Sequence, residues 1–275
     1  MVKDRNIGRI IVLIFLSIGA IIMFLPFVWL IVSTFKSTEE IMAVPPTFFP
    51  KLWIFNNYGY IFKQFSIARF FTNSLFLATV KTAIGVYTSL FCGYVFAKFD
   101  FKFKNLIFAS TIFTMMVPYL TTVIPLYGMV NKVGLIDTYT AVILPALYSA
   151  FGIFMMRQYM KDGVPKELIE AMRIDGATEF GIFHSVAIPL SINMISALSI
   201  FLFLWNWEDF LWPYLVLTTQ KKYPLAVALS MFSGQNTINY GGLFAATAIT
   251  IIPILVVYLF FQKRFVEGVS MSGIK

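Results

Sequence analysis

The sequence is short of charge. Asp, Glu, Lys and Arg make up 12% of its 275 residues, about half the share usual in soluble domains. It has one histidine, His184, and one cysteine, Cys92. Two-histidine metal sites and the His-Glu-x-x-His motif are therefore excluded within the chain. A lone thiol forms neither an internal disulfide nor a thiolate metal cluster, so Cys92 reads as a small packing residue. No Gly-x-x-x-x-Gly-Lys-(Ser/Thr) loop, Gly-x-Gly-x-x-Gly turn or Gly-x-Ser-x-Gly elbow occurs. The usual means of cradling ATP phosphates, binding a dinucleotide or raising a serine nucleophile are thus missing. His184 stands in a polar segment where solvation is its ordinary state, and an enzyme acting alone does not fit.

What the sequence has is apolar length. Hydrophobic residues make up 59%, including 31 Phe, and mean hydropathy is +0.81. Such a chain uses lipid as part of its solvent. A spanning helix needs roughly 20 mostly apolar residues, because backbone polar groups must be satisfied within the segment. Six stretches qualify, at about residues 10–32, 70–97, 106–130, 139–156, 188–207 and 243–261, with Pro118 and Pro125 inside the third. Strict alternation is absent, which argues against a β-barrel. The first stretch follows Lys3, Arg5 and Arg9, as a signal peptide would. It is longer than an ordinary signal core and no small-x-small site follows before Thr34, so a retained anchor is expected. The expected fold is an all-α integral membrane protein with six transmembrane helices.

Basic residues orient these spans. With the N-terminus inside, thirteen lie inside: Lys3, Arg5, Arg9, Lys98, Lys102, Lys104, Arg157, Lys161, Lys166, Arg173, Lys263, Arg264 and Lys275. Seven lie outside, namely Lys36, Lys51, Lys63, Arg69, Lys132, Lys221 and Lys222, and Lys81 falls within a span. Both termini are expected to be cytoplasmic. The net charge of +8 reflects this bias and attraction to anionic lipid, without a nucleic-acid partner.

The cytoplasmic stretch KDGVPKELIEAMRIDGATEFGIFHSVAIPL, residues 161–190, interrupts the apolar pattern. Pro165 suits a first helical position, with Glu167 and Glu170 near the positive end of the helix dipole. Leu168, Ala171 and Met172 fall at i, i+3 and i+4 and predict one apolar face, with Lys166, Glu170 and Arg173 on the other. Asp175-Gly176 predicts a break. A second helix is expected from Thr178-Glu179, with Phe180, Phe183 and Ala187 sharing a face and Pro189 marking its end. An amphipathic loop lying on lipid headgroups and a helix-turn-helix docked in a soluble partner both fit this pattern.

The same residues resemble the EAA loop of binding-protein-dependent ABC importers. That loop reads Glu-Ala-Ala, three residues, Gly, nine residues, Ile, one residue, Leu-Pro. Here Glu170-Ala171-Met172, Gly176, Val186 and Ile188-Pro189 keep the spacing, with Met172 in place of the second Ala. PKELIEAMRIDGA is similar to carbohydrate importers, specifically the maltose-type G subunit, as are IPLYGMVNKVGLIDTY, WNWEDFLWP and QKRFVEGVSMSGIK. The resemblance implies an ABC type I importer permease fold in a bacterial or archaeal cell membrane. It divides the chain into residues 1–69, a transmembrane helix plus an extracytoplasmic segment, and 70–275, a five-helix permease core with the coupling loop and a cytoplasmic tail.

It further implies that Glu170, Ala171, Met172, Arg173, Asp175 and Gly176 engage a partner ATPase, which holds the ATP and Mg while this chain binds no cofactor. Gly268, Ser270 and Gly273 in the tail would reach the interface between two ATPase copies; a frayed terminus is the alternative. A second permease subunit and an extracytoplasmic sugar-binding protein complete the implied assembly, the latter meeting a loop with Gln235, Asn236 and Asn239. Within the membrane, Asn73, Lys81, Trp205, Asn206, Glu208 and Asp209 mark a translocation path. Interhelical hydrogen bonding is the other reading, above all for Asn73, as interfacial anchoring is for the tryptophans. A secondary transporter driven by an ion gradient is the rival from another class; it predicts internal repeats and midplane ionisable groups, of which Lys81 alone stands out.

Overall fold

The computed structural model describes residues 2–233 and 239–271, and every regular element among them is helical. In chain order these are α1 (Val2–Ser33), α2 (Thr38–Ile41), α3 (Asn56–Gln64), α4 (Ile67–Lys98), α5 (Lys104–Thr114), α6 (Tyr119–Lys132), α7 (Tyr139–Ile143), α8 (Ala150–Gly163) and α9 (Lys166–Ile174). After them come α10 (Glu179–Ile182), α11 (Ile188–Leu190), α12 (Ile192–Trp207), α13 (Leu211–Val216), α14 (Leu225–Ser233) and α15 (Tyr240–Met271). A 3₁₀ turn, Leu144–Leu147, joins α7 toward α8, and a π-turn, Phe183–Ala187, joins α10 to α11.

Four helical stretches are long and apolar enough to cross a membrane: Gly8–Ser33, Ile67–Lys98, Tyr139–Gly163 and Tyr240–Phe260. Two bent pairs raise the number to six if each is one span. The stretches expected as the third and fifth spans are both bent. α5 and α6 meet at 103°. Pro118 cannot donate a backbone hydrogen bond and disfavours helix in the residue before it, so α5 stops at Thr114 and α6 starts after Pro118. Pro125 stays inside α6. The stretch Glu179–Leu190 meets α12 at 81°, with Ser191 at the corner. Pro189 lies two residues after the π-turn, in which the Ile188 amide bonds back to the Phe183 carbonyl. The fourth span continues to Gly163, beyond the expected end at residue 156. It is broken near Pro145 and restarts where the Ser149 hydroxyl caps the Gly152 amide at 3.1 Å.

The chain forms two compact units, Met1–Ala68 with Leu229–Ile252, and Arg69–Ala228 with Pro253–Lys275. In the first unit, Asn57 donates to the carbonyls of Thr34 (2.7 Å) and Lys36 (2.9 Å), and fixes the turn after α1. Trp29 meets Phe244 edge-on at 5.5 Å, and Phe65 stacks on Phe232 at 4.1 Å. Gly241 lies against Asn57, where an added Cβ would come within 2.5 Å of the amide nitrogen.

In the second unit, the core gathers Leu90 and Tyr94 of α4, Met156 and Met160 of α8, Ile169 of α9, Phe183, and Ala197 and Leu198 of α12. Apolar burial does not draw helices together within lipid, so close backbone approach matters more. Gly93 of α4 supplies it: a Cβ there would lie 2.6 Å from Met156 Cβ. Gly152 of α8 does the same against Ser89, at 2.2 Å from its hydroxyl oxygen. Cys92 is half-buried beside Phe96, Phe108 and Ile153.

The loops at one end of this unit are tied by Asp137, whose backbone is left-handed at φ 61°. Its Oδ1 accepts from the amides of Thr218 and Thr219, each at 3.0 Å. Its Oδ2 accepts from the Thr219 hydroxyl and the Lys222 ammonium, each at 2.7 Å. These donors, Lys222 foremost, hold the carboxyl far below the usual carboxylate range. A lowered folded pKa means that the charged clamp stabilises fully above the unfolded value near 4, and that this contribution fades as pH falls below it. Asp137→Asn should therefore melt below the wild type at pH 7, with the gap shrinking below about pH 4. Thermal unfolding in detergent across pH 3–8 measures this, and a gap independent of pH would contradict it.

Candidate functional site

Two places in the second unit concentrate polar groups. One is the turn between α9 and α10. The Ala177 amide bonds to the Met172 carbonyl at 3.0 Å and the Gly176 amide to the Arg173 carbonyl at 3.1 Å. Gly176 sits at φ 83°, and this pair of bonds around a left-handed glycine satisfies the last carbonyls of α9. The Thr178 hydroxyl then accepts from the Gly181 amide at 3.1 Å and starts the next helix. Arg173 spans the turn, donating through Nε to Glu179 Oε1 (2.6 Å) and through a terminal nitrogen to Oε2 (3.2 Å). Glu179 raises the already high pKa of Arg173.

The faces of this segment differ from those expected. Ile169 is buried, and Met172 and Ala177 pack against the core. Leu168, Ala171, Ile174 and Phe180 face outward, Ile174 at 87% exposure. Leu168 and Ala171 are therefore exposed, while Met172 packs against the core. Phe180 is exposed and does not share the buried face of Phe183 and Ala187. Phe180 instead lies 4.2 Å from the His184 ring, whose Nδ1 is 2.8 Å from the Phe180 carbonyl. Glu170 and Asp175 are exposed. The result is a rigid, exposed knuckle with an apolar tip and charged flanks.

The other place is a cavity of about 580 Å³. Its wall includes Lys81 and Gly85 of α4, Tyr119 at the start of α6, and Val142, Pro145, Ala146, Tyr148 and Ser149 around the broken fourth span. Leu202, Trp205 and Asn206 of α12, together with Asp209 and Trp212, complete it. Lys81 Nζ meets Asp209 Oδ2 at 2.5 Å, with side chains 7% and 20% exposed. Lys81 is thus a paired cation. Asn206 donates to the Thr82 hydroxyl at 3.1 Å, and the Trp212 indole donates to the Ala141 carbonyl at 2.9 Å. Tyr119 and Trp205 are each about half exposed, and neither the Tyr119 hydroxyl nor the Trp205 indole nitrogen has a hydrogen-bond partner among the described residues.

A cavity of paired charge, an amide and aromatic faces, walled by broken helices, is suited to passing a polar solute. The family model for the binding-protein-dependent transport system inner membrane component matches residues 85–271. The chain belongs to that family. It is similar to an arabinooligosaccharides transport permease, AraQ, of Halalkalibacterium halodurans, with 35% identity over 93% of this chain and 92% of the relative. The lactose transport permease LacG of Rhizobium radiobacter is 32% identical, over 94% and 93% of the two chains. A bacterial ABC transporter for the acidic polysaccharide alginate shares the fold, with TM-score 0.79 and 24% identity over 96% and 98%.

Of the expected path residues, Lys81, Trp205, Asn206 and Asp209 line the cavity of this inner membrane component. Asn73 does not; it donates to the carbonyls of Lys221 (2.9 Å) and Tyr223 (3.0 Å) and ties α4 to a loop. Glu208 is an exposed residue at the end of α12. Asn239 caps α15, accepting from the Gly242 amide at 2.9 Å. Gln235 and Asn236 lie outside the described residues, as does Gly273, while Gly268 and Ser270 fall in the last turns of α15. Sequence reasoning missed Tyr119, Tyr148 and Ser149. Their signal was the prolines nearby, Pro118 and Pro145, which break spans and turn side chains toward the gap. It also missed Glu179 as the partner of Arg173.

An exposed salt bridge adds at most about 1 kcal/mol, so losing it should loosen the turn without unfolding the chain. Arg173→Gln is expected to speed hydrogen exchange of the amides at 175–181 several-fold, and Arg173→Glu with Glu179→Arg to restore slow exchange. Exchange unchanged in Arg173→Gln would remove the brace from the account.

Proposed function

We propose that this chain is one permease subunit of an ATP-driven, binding-protein-dependent importer of a sugar or oligosaccharide. The observation that carries the reading is the knuckle at 166–180. Its own core takes Ile169, Met172 and Ala177, and its remaining apolar residues project outward beside Glu170 and Asp175. A helix-turn-helix whose tip is apolar and whose flanks are charged suits a groove on a soluble partner. That partner is an ABC ATPase in two copies, holding ATP and Mg, since the chain lacks the motifs to hold them. Engagement runs through Glu170, Ala171 and Asp175, with Gly176, Arg173 and Met172 fixing the shape of the knuckle. The tail residues Gly268, Ser270 and Gly273 would meet the interface between the two ATPase copies.

Six spans with both termini cytoplasmic follow if each bent pair crosses once, and the basic residues favour that orientation. A second permease subunit completes the path. An extracytoplasmic sugar-binding protein delivers the solute to the loop with Gln235 and Asn236. The relatives named for arabinooligosaccharide and lactose transport support a saccharide cargo. So does a neighbour of the same fold solved with an alginate pentasaccharide-bound periplasmic protein. The cavity agrees with such a cargo, because aromatic faces cover the apolar faces of sugar rings while amides and carboxylates meet the hydroxyls.

Tagged chain purified from native membranes in mild detergent should bring down a P-loop ATPase and a second permease. Glu170→Lys should lose the ATPase while keeping the permease. A chain that purifies alone under several detergents, with uptake driven by an ion gradient, would establish the secondary transporter instead.

A further inference from the structure

We propose that the cavity admits uncharged saccharides and excludes acidic ones, and that Asp209 sets this choice by cancelling Lys81. The inference rests on the cavity being the sugar path. Lys81 and Asp209 are the one basic and the one acidic residue of its lining, and they form an ion pair at 2.5 Å. With Asp209 in place the wall carries no net charge, and Lys81 offers a uronate no free positive centre. A uronate would have to part the pair in a poorly solvated site, and parting a mostly buried pair is costly. It would also bring its carboxylate against that of Asp209, because the Asp209 side chain reaches the cavity from beside Lys81.

A neutral sugar meets no such barrier. Its hydroxyls both donate and accept, so they bond to the second Asp209 oxygen and to the remaining Lys81 hydrogens without separating the pair. The Tyr119 hydroxyl and the Trp205 indole nitrogen have no partner among the described residues, and both rings are about half exposed. They supply further hydrogen bonds and two flat apolar faces, none of them charged. The fold itself does not impose neutrality, since a transporter of the same fold is involved in importing an acidic polysaccharide. The choice lies in side chains, and the pair is the side-chain feature of this wall that sets charge.

The cavity potential can be read directly. In a Cys92→Ser background, Ala146→Cys places a thiol on the cavity wall and Val44→Cys an exposed reference thiol. The assembled transporter in proteoliposomes, turning over ATP, is treated with cationic and anionic methanethiosulfonates. With the pair intact, the anionic-to-cationic rate ratio at position 146 should match the reference within about threefold. Asp209→Asn should raise it by about tenfold or more, and Lys81→Met should lower it comparably, as expected for an unscreened unit charge nearby. Lys81→Met with Asp209→Asn should return it to the wild-type value, which separates charge from folding.

Arabinotriose should then slow labelling of the Ala146→Cys protein several-fold, and trigalacturonate should do so only with Asp209→Asn. If Asp209→Asn does not assemble, the Lys81→Met arm carries the test with the opposite sign. A wild-type ratio already tenfold toward the anion would overturn the proposal. Equal protection of the wild type by trigalacturonate would do the same. Labelling by neither reagent during turnover would instead overturn the sugar path on which the proposal rests.

Discussion

In lipid, every backbone amide and carbonyl must find a partner within the protein, and this constraint governs the rest of the structure. Unbroken helices meet it alone, as α4 does over 32 residues. Breaks are tolerated only where protein covers them or where they line a polar cavity. The breaks here converge. Tyr119 follows the corner at Pro118, Pro145 to Ser149 form the gap in the fourth span, and Asp209 and Trp212 flank the interruption between α12 and α13. Tyr119, Pro145, Ala146, Tyr148, Ser149, Asp209 and Trp212 all line one cavity. The irregular backbone and the polar space are one feature: the prolines open the helices, and the side chains at the openings meet around the Lys81–Asp209 pair.

The cavity is joined to the knuckle by continuous helix. α8 begins at the cavity with its cap, Ser149, and ends at Gly163, just before α9. α12 carries Leu202, Trp205 and Asn206 on the cavity and begins at the corner that closes the stretch Glu179–Leu190. Two helices therefore run from the two flanks of the turn to the cavity wall. Gly93 and Gly152 hold α4 close against α8, so movement at one end is not absorbed by loose packing. α8 and α12 are thus the elements that connect the knuckle to the cavity wall.

Much of this was legible in the sequence, for identifiable reasons. Apolar length marked the spans, and Gly176 marked its turn because a side chain resists φ 83°. Thr178 marked the next helix because a hydroxyl caps well. For α9, periodicity shows that Leu168, Ala171 and Met172 are neighbours, but not which side of the helix meets the core. Ile169 and Met172 won that side, leaving apolar Leu168 and Ala171 outside. Phe180 was misplaced because its spacing from Phe183 does not show that it lies at the exposed start of α10. Lys81 was visible as a membrane cation, whereas its pairing with Asp209, 128 residues away, depends on how α4 and α12 cross. Asn73 and Asn239, read as path and docking residues, hold a loop and a helix end.

The central claim is that the knuckle transmits a partner's ATP-driven movement to the cavity. Its most direct test is the number of saccharide molecules taken up per ATP hydrolysed, measured in proteoliposomes for the wild type and for Gly176→Pro. Proline cannot adopt φ 83° and lacks the amide that bonds to Arg173, so the knuckle changes shape while the spans stay intact. The account predicts that the variant inserts, retains the ATPase and hydrolyses ATP, but imports several-fold less sugar per ATP. A wild-type ratio in a variant that holds its ATPase would contradict it.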